Sequence, residues 1–587
     1  MEDNLKPLEY YRKLFAESRD LLQDSRRESR IDDDYYHNYQ LTREERSTLQ
    51  KRGQPDGTFN RVRKAVNGTL GVLKQGSTDP RAYPRNPQDE DGAEVASKTL
   101  RYLADVNRFD ARRMDAAYDY LGPGTCAALV TVDSNRQPIY VEVDWEEFFY
   151  DPRSKKNDFR DARYMGLAKW MYADDVEGLY PQAKKDIDAA FSVDGVSTFD
   201  DTFADRPNDA ISNWIDRSHR RLMVIELYCR KGAQWVRTVF YSGGYLEEPK
   251  PVPFVRKRRG RQESVCPIIA QSCYVDRENN RYGVIRDMRA PQDDFNKRRQ
   301  KLLHILNNRQ VQATSEIAYN ADADLVRSEA SRPDGVLPIG WQPVSLNDMA
   351  AGQFNLLAMA EGEMDREGPN PAILARGGEN ASGRSQLVRQ QAGLTEQATI
   401  FGGFEDWEHR IYEAFWDRAC QFMTEPEWIR VTDDEGAPQF LQVNEPVMGP
   451  PQVVMGPNGM PMLQPQVIGF RNRLAELEMD IMLDTVPDTA NLAQEQFLAL
   501  VDLAKAGVQI PPQLLIESSS LPKKREIVEK MQQMAEAPDP AQQMAQETAV
   551  ADIEKTKSET AKNMADAQET LASIEMNAFT AGVSLAG

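Results

Sequence analysis

Apolar residues recur at near-helical spacing over residues 5–50, where Leu8, Tyr11, Leu14, Phe15, Leu21 and Leu22 stand among charges, and this spacing predicts helix. Gly53-Gln54-Pro55-Asp56-Gly57 breaks the pattern. Thr58 is placed to cap a following helix that carries Val62, Val66, Leu70 and Leu73 on one stripe. Pro80, Pro84 and Pro87 then mark an exposed connector. Residues 93–121 return to helix through Val95, Leu100, Leu103, Val106 and Phe109.

Gly122-Pro123-Gly124 ends that helix and the character changes. Ala127–Val132, Ile139–Val143 and Phe148–Tyr150 are short, β-branched or aromatic runs that predict strands, with Asp151-Pro152 as a turn. Residues 173–191 read as helix. Leu222–Cys229 and Trp235–Tyr241 read as a hairpin, followed by Gly243-Gly244 and the proline-spaced Pro249, Pro251 and Pro253.

The pattern from Gly283 to Asn308 predicts a helix of about 37 Å, kinked at Pro291 or starting just before it. Residues 343–366 and 383–424 are two further helical stretches, separated by the breakers Gly368-Pro369-Asn370-Pro371 and Gly377-Gly378. Residues 445–470 are rich in Pro, Gly, Met and Val and read as a loop or an extended hairpin tip. Short helices are expected at 489–506 and 522–537. From Val550 through Ile553, Lys557, Thr560, Met564, Ala567, Leu571, Ile574 and Ala578, steps of three and four form a weak seam. Such a seam suits a ring of packed helices better than an isolated dimer.

The 587 residues are too many for one ordinary domain, and 40% hydrophobic with 28% charged is the composition of a folded soluble protein. Lys and Arg number 72 against 92 Asp and Glu, a formal charge of −20. A chain this acidic does not attract nucleic acid in bulk, so any phosphate contact has to be local. The five cysteines, Cys126, Cys229, Cys266, Cys273 and Cys420, are odd in number and widely spaced. They argue against a disulfide framework or zinc site and fit a reducing compartment. Met1–Pro7 holds no apolar core of signal-peptide length, and no run of about 18 apolar residues occurs anywhere. The expectation is a protein that works in solution or within a larger assembly, without a membrane.

Catalytic signatures are absent from the sequence: no GxxxxGK[ST], no HExxH, no GxSxG, and four histidines isolated from one another. Gly122-Pro123-Gly124 is half of a dinucleotide fingerprint that nothing completes. No enzyme activity, cofactor or metal is therefore expected. Asp151, Asp158 and Asp161 lack the alternate spacing and central glycine of a calcium loop, and read as a turn with solvated or Arg-paired carboxylates. Asp32-Asp33-Asp34 reads as a helix end or exposed face.

Two basic groups stand out against the acidic background. Arg256, Lys257, Arg258, Arg259 and Arg261 place five cations in six positions, a local patch for DNA or an acidic partner surface. The plain alternative is a solvated loop tip. Lys297, Arg298, Arg299 and Lys301 lie on the long helix. They form either the wet face of an amphipathic helix or, in a ring, a cationic lining of the hole.

The order of these features resembles the P22-like portal proteins of tailed phages. The resemblance rests on Asp33-Asp34-Tyr35-Tyr36 followed by Thr58-Phe59-Asn60-Arg61-Val62, and on Phe148-Phe149-Tyr150-Asp151-Pro152 followed by Asp158 and Asp161-Ala162-Arg163-Tyr164. It continues in Val265–Ile269, Tyr282–Asp287 and Ser382-Gly383-Arg384-Ser385, and covers roughly residues 5 to 540. It implies an α+β, mainly helical portal fold of wing, stem, clip and crown, assembling as a ring, usually of twelve, around a DNA channel. Residues 1–170 would be wing, 171–280 the first stem segment and clip, and 281–310 the second stem helix. Residues 311–484 would be wing and tunnel loop, 485–540 crown, and 541–587 a C-terminal helical extension.

The resemblance also implies partners: double-stranded DNA, the large terminase, a head-completion or tail adaptor protein, and the major capsid and scaffolding proteins. Lys297, Arg298, Arg299 and Lys301 become channel candidates. Arg256, Lys257, Arg258, Arg259 and Arg261 become candidates for terminase or adaptor contact. Another virion structural protein, such as a tail hub or internal core protein, stays open as the alternative. A packaging ATPase is disfavoured by the missing P-loop.

Overall fold

A computed structural model describes residues 7–486 apart from 86–89, 193–213, 218, 259, 308–310, 317–324, 327, 331–334, 345–346, 368–391, 433–437, 450–451, 456–460 and 465–466, together with residues 500 and 562. The chain divides into a unit of residues 1–486 and a second unit from Pro487 to Gly587. The expected helices at 489–506 and 522–537, the 550–578 seam and the 367–383 tunnel loop fall wholly or almost wholly outside the described residues.

The chain opens with a helix from Leu8 to Tyr36 whose buried positions include Tyr11, Phe15, Ser18, Leu22, Ser25, Ser29, Asp32 and Tyr35. The steps are all of three or four, so one face stays inward along the whole length. Its first half buries aromatic and aliphatic side chains: the Phe15 ring meets Phe149 at 4.9 Å and Trp214 at 5.2 Å. Ser18, Ser25 and Ser29 on the same face let backbone approach. Ser18 donates to the Tyr150 carbonyl at 2.7 Å and Ser29 to that of Pro123 at 3.0 Å. Leu21, part of the expected stripe, is exposed.

A second helix, Arg43–Lys51, starts with a capping box between Thr42 and Glu45 and buries none of its residues. The next runs from Val62 to Gln75, with Val62 and Val66 fully buried. Asn60 rather than Thr58 caps it, its Oδ1 accepting from the Arg63 amide at 2.9 Å. The expected helix over 93–121 is two helices, Glu90–Val106 and Phe109–Leu121. Arg108 between them is in the left-handed region at φ 50°.

Two sheets organise the middle. Thr125–Val132 lies between Pro138–Val143 and Ile268–Ser272 in a three-stranded antiparallel sheet. A larger antiparallel sheet orders Phe148–Tyr150, Tyr164–Tyr172, Arg221–Lys231, Gln234–Phe240 and Tyr245–Pro251, with Ile215–Asp216 added at one end of Arg221–Lys231. The proline-spaced stretch is thus partly strand, held at the sheet edge where a missing N–H is tolerated. The helix Ala398–Phe422 packs on the three-stranded sheet and carries the largest core side chains. The Trp407 indole donates to the Ile269 carbonyl at 3.0 Å. On the same helix Glu408 accepts from Arg113 at 2.7 Å, with both side chains almost fully buried.

The Pro80–Pro84 segment is not a connector. Ser77–Pro84 is a strand paired antiparallel with Met479–Val486. Both prolines have the same parity, so their missing donors fall on one edge of the ribbon. Gly124 and Gly283 mark a close backbone crossing. A Cβ on Gly124, whose φ is +95°, would stand 2.1 Å from the Tyr282 carbonyl carbon, and one on Gly283 would stand 2.1 Å from the Leu121 oxygen. The half-fingerprint glycine at 124 is there for this crossing.

Candidate functional site

The first basic group folds as a hairpin. Val255–Arg258 pairs with Arg261–Ser264, with Arg256 opposite Glu263, Lys257 opposite Gln262 and Arg258 opposite Arg261. Gly260 takes φ +71° at the turn, a conformation glycine adopts without strain. Arg259 lies outside the described residues. Alternation puts Arg256 and Arg258 on one face and Lys257 on the other.

The first of these faces meets the helix Ala398–Phe422, whose Glu413, Asp417 and Gln421 stand four residues apart on one stripe. Arg256 bridges Glu413 at 3.0 Å and Asp417 at 2.7 Å, and Arg258 bridges Glu413 at 2.7 Å. Gln421 accepts from the Val255 amide at 3.2 Å and donates to the Pro253 carbonyl at 2.6 Å. Burial works against the Arg256 charge. The Asp417 and Glu413 carboxylates outweigh it and hold the guanidinium above its ordinary value.

Lys257 and Arg261 are exposed and have no ion-pair partner among the described residues. Beside the hairpin opens a polar cleft of about 760 Å³, lined by Arg85, Lys257, Arg258, His409, Glu413 and Asp480 among others. Of the four described cations, Arg256 and Arg258 are ion-paired to the helix, Arg258 while still half exposed, and Lys257 and Arg261 are exposed without such a partner.

The second basic group is on the helix Ile285–Asn307, which keeps Pro291 inside it. Its first turns lie on an ionic lattice. Arg286 reaches Asp32 at 2.8 Å, and Arg289 reaches Glu28 at 2.8 Å and Asp32 at 3.1 Å. Asp32 is fully buried in the last turns of the helix Leu8–Tyr36, so the helix-end reading holds and the exposed-face reading fails for this residue. Further along, Tyr35 donates to Asp293 at 2.7 Å and Asn296 to Gln40 at 2.7 Å. Gln292 exchanges hydrogen bonds with the Phe59 carbonyl and the Arg61 amide, both at 3.0 Å, and Gln300 donates to the Gly57 carbonyl at 3.1 Å.

At the basic group itself, Arg298 pairs with Asp294 at 3.1 Å and Arg299 stacks over Phe59 at 3.7 Å. Lys297 and Lys301, one turn apart, are exposed and have no ion-pair partner among the described residues. Of the four candidate cations, two hold the fold and two face solvent.

Asp151, Asp158 and Asp161 do not converge on a metal, and the described residues hold no group of metal-ligating side chains. Asp161 accepts from Ser154 Oγ and the Lys155 amide, both at 2.7 Å, and Asp158 pairs with Arg160 at 3.0 Å. The five cysteines are free thiols, and burial pushes Cys266 up to about 12. No helix among the described residues is long and apolar enough to cross a membrane.

Sequence reasoning missed the acidic partners. The i, i+4 placement of Glu413 and Asp417 was visible, but nothing in the sequence tied them to a hairpin 155 residues earlier. Asp32 was findable only by extending the 4–3 stripe past Leu22 through Ser25 and Ser29.

The two basic groups thus resolve into exposed cations carried on elements that ion pairs and hydrogen bonds tie to the body. The chain belongs to the Phage P22-like portal protein family, the match running over residues 12–581. It is also similar to the portal protein of Helicobacter pylori bacteriophage KHP30, 20% identical over 428 residues. The similarity covers 70% of this chain and 66% of that relative, so the chain spans about two thirds of the relative's length.

Proposed function

We propose that this chain forms a ring, of twelve copies, at one capsid vertex, through which double-stranded DNA enters during packaging and leaves during ejection. The observation that carries this is the family match from residue 12 to residue 581. The protein acts as a conduit and docking platform and not as an enzyme. It meets the large terminase during packaging and a head-completion or tail adaptor protein afterwards. It seats among major capsid and scaffolding proteins after assembly in the host cytoplasm.

The charge balance supports a conduit. A formal charge of −20 per copy makes most of a wall repel phosphate, and a few cationic rings centre a duplex without stopping it. Lys297 and Lys301 are the channel-facing pair on this reading, with Arg298 and Arg299 holding the helix beneath them. Lys257 and Arg261 present the terminase or adaptor contact, on a hairpin stiffened through Arg256 and Arg258.

Pairing of Ser77–Pro84 with Met479–Val486 supports grouping residues 1–170 with 311–484 as wing. On the same reading 171–280 supply the first stem segment and clip, 281–310 the second stem helix, 485–540 the crown and 541–587 a helical extension. Heterologous contacts that close by rotation hold the ring.

Class averages of the purified full-length protein by electron microscopy test the reading. A twelve-fold ring with an axial hole wide enough for a duplex is expected. Monomers only, or a particle with no axial opening, overturn it.

A further inference from the structure

The stretch from Pro446 to Phe470 contains no Asp, Glu, Lys, Arg or His, although 28% of the chain is charged. It is a β-ribbon. Glu445–Met448 pairs with Val467–Arg471, and beyond them Gln452–Met455 pairs with Pro461–Gln464. Val447 and Met448 are both exposed, at 41% and 57%, and so are Val467 and Ile468, at 45% and 64%. Val447 and Met448, successive on one strand, point to opposite faces, so at its described base the ribbon is apolar and wet on both, with the register shifting there and Ile468 left without a cross-strand partner. A lone two-stranded ribbon is marginal in water, and one with two apolar faces needs cover on both.

The same chain exposes a second charge-free surface. From Met349 to Ala360 the helix Asn347–Glu367 carries no charged residue. Phe354 and Met359 are exposed there at 63% and 61%, while Ala360 and Met364 are buried against the body.

We propose that the described base of this ribbon, Pro446–Met448 with Val467–Phe470, is a strap between subunits, laid against the Phe354 and Met359 face of the next copy of this chain. The proposal rests on the ring reading above and deepens it by naming the contact. Three arguments choose a second copy as the occupant. A ring of heterologous contacts joins one patch to a different patch on the neighbour, and this chain carries two such patches. Neither holds a charge, so joining them buries no unpaired ion. Partners that dock and leave in turn need a surface that is soluble when free, whereas a two-faced apolar ribbon needs permanent cover, as obligate interfaces supply.

Two variants of the full-length chain test it. Val447→Asp combined with Ile468→Asp puts charge on both faces of the ribbon without touching the core, and is expected to move the protein from rings to monomers in size-exclusion chromatography and native mass spectrometry. Ile468→Cys combined with Phe354→Cys, treated with a short bis-maleimide, is expected to give a ladder of multimers on a denaturing gel, which neither single variant gives. Rings from the aspartate variant equal in yield to wild type overturn the strap. So does cross-linking that stays within one chain or is absent, and this readout stands even if the aspartate variant fails to fold. Wild-type protein that forms no ring sinks the ring reading and the strap together; wild-type rings with an unaffected aspartate variant sink the strap alone.

Discussion

The basic hairpin and the basic helix each tie half of their described cations to the fold, but by different periods. On the hairpin, alternation by two sends Arg256 and Arg258 to Glu413 and Asp417 and leaves Lys257 outward. On the helix, steps of four bury Gln292, Asn296 and Gln300 and leave Lys297 and Lys301 outward, with Arg298 and Arg299 half-buried between. The backing also differs. The hairpin leans on one acidic stripe of one helix, and the Ile285–Asn307 helix lies on Asp32, Glu28 and the backbone of residues 57–61 at once. A cation in the sequence is therefore not yet a cation on a surface, and the anchoring of the helix is expected to be the stronger of the two.

The sharpest way to break that comparison is Asp32→Ala. It strips Arg286 and Arg289 of their buried partner and is expected to cost about 3–5 kcal/mol, as breaking a buried pair does, read by urea unfolding. A loss as small as that of a surface substitution would mean the helix is not held by its ions.

Arg256→Ala is expected to cost less, about 1.5–3 kcal/mol for its charged hydrogen bonds. Lys257→Ala and Arg261→Ala should stay within about 0.5 kcal/mol. Equal losses across those three variants would show that the hairpin has no inward face.

Replacing Lys297 and Lys301 together with Ser should leave stability within about 0.5 kcal/mol. On the channel reading it should lower the salt dependence of duplex binding to the ring, by about 0.9 in the log–log slope for each phosphate that is no longer neutralised. An unchanged slope removes these lysines from the channel wall.

The smallest effect is acid sensitivity. The hydrogen bond from Arg289 holds the Glu28 carboxyl below its ordinary value. Burial alone would raise Asp161, and hydrogen bonds from the Lys155 amide and Ser154 outweigh it and bring it down. A lowered folded pKa means that the contribution is present above the ordinary carboxylate value and is lost as pH falls through the lowered one. The melting midpoint is expected to drop as pH falls below the ordinary carboxylate range, and Asp161→Asn should flatten part of that drop. An identical acid slope in the variant would take the Asp161 turn out of the account.

Much of this was readable along the chain, and the misreadings have definite causes. Phe148–Tyr150 and the hairpin centred on Leu222–Cys229 and Trp235–Tyr241 emerged as expected, because short β-branched and aromatic runs between turn residues have few other uses. Pro80 and Pro84 misled because proline normally ends strands, and only the partner strand 479–486 offered an edge where both missing donors could face outward. Residues 93–121 misled because Arg108 supplies no glycine-like signal for its left-handed turn.

Local pattern alone determined many of the helices and strands, that the chain is acidic in sum with two dense basic runs, and that the stretch 446–470 carries no charge. These follow from side-chain period and composition, which need no knowledge of what lies opposite. Only the tertiary structure decided which arginines are locked and which lysines are free, that Asp32 is a buried anchor, and that the uncharged stretch is a two-faced ribbon. Each of those depends on a partner tens to hundreds of residues away, and the energy of an ion pair or an apolar contact is set by separation in space, about which spacing in sequence says nothing.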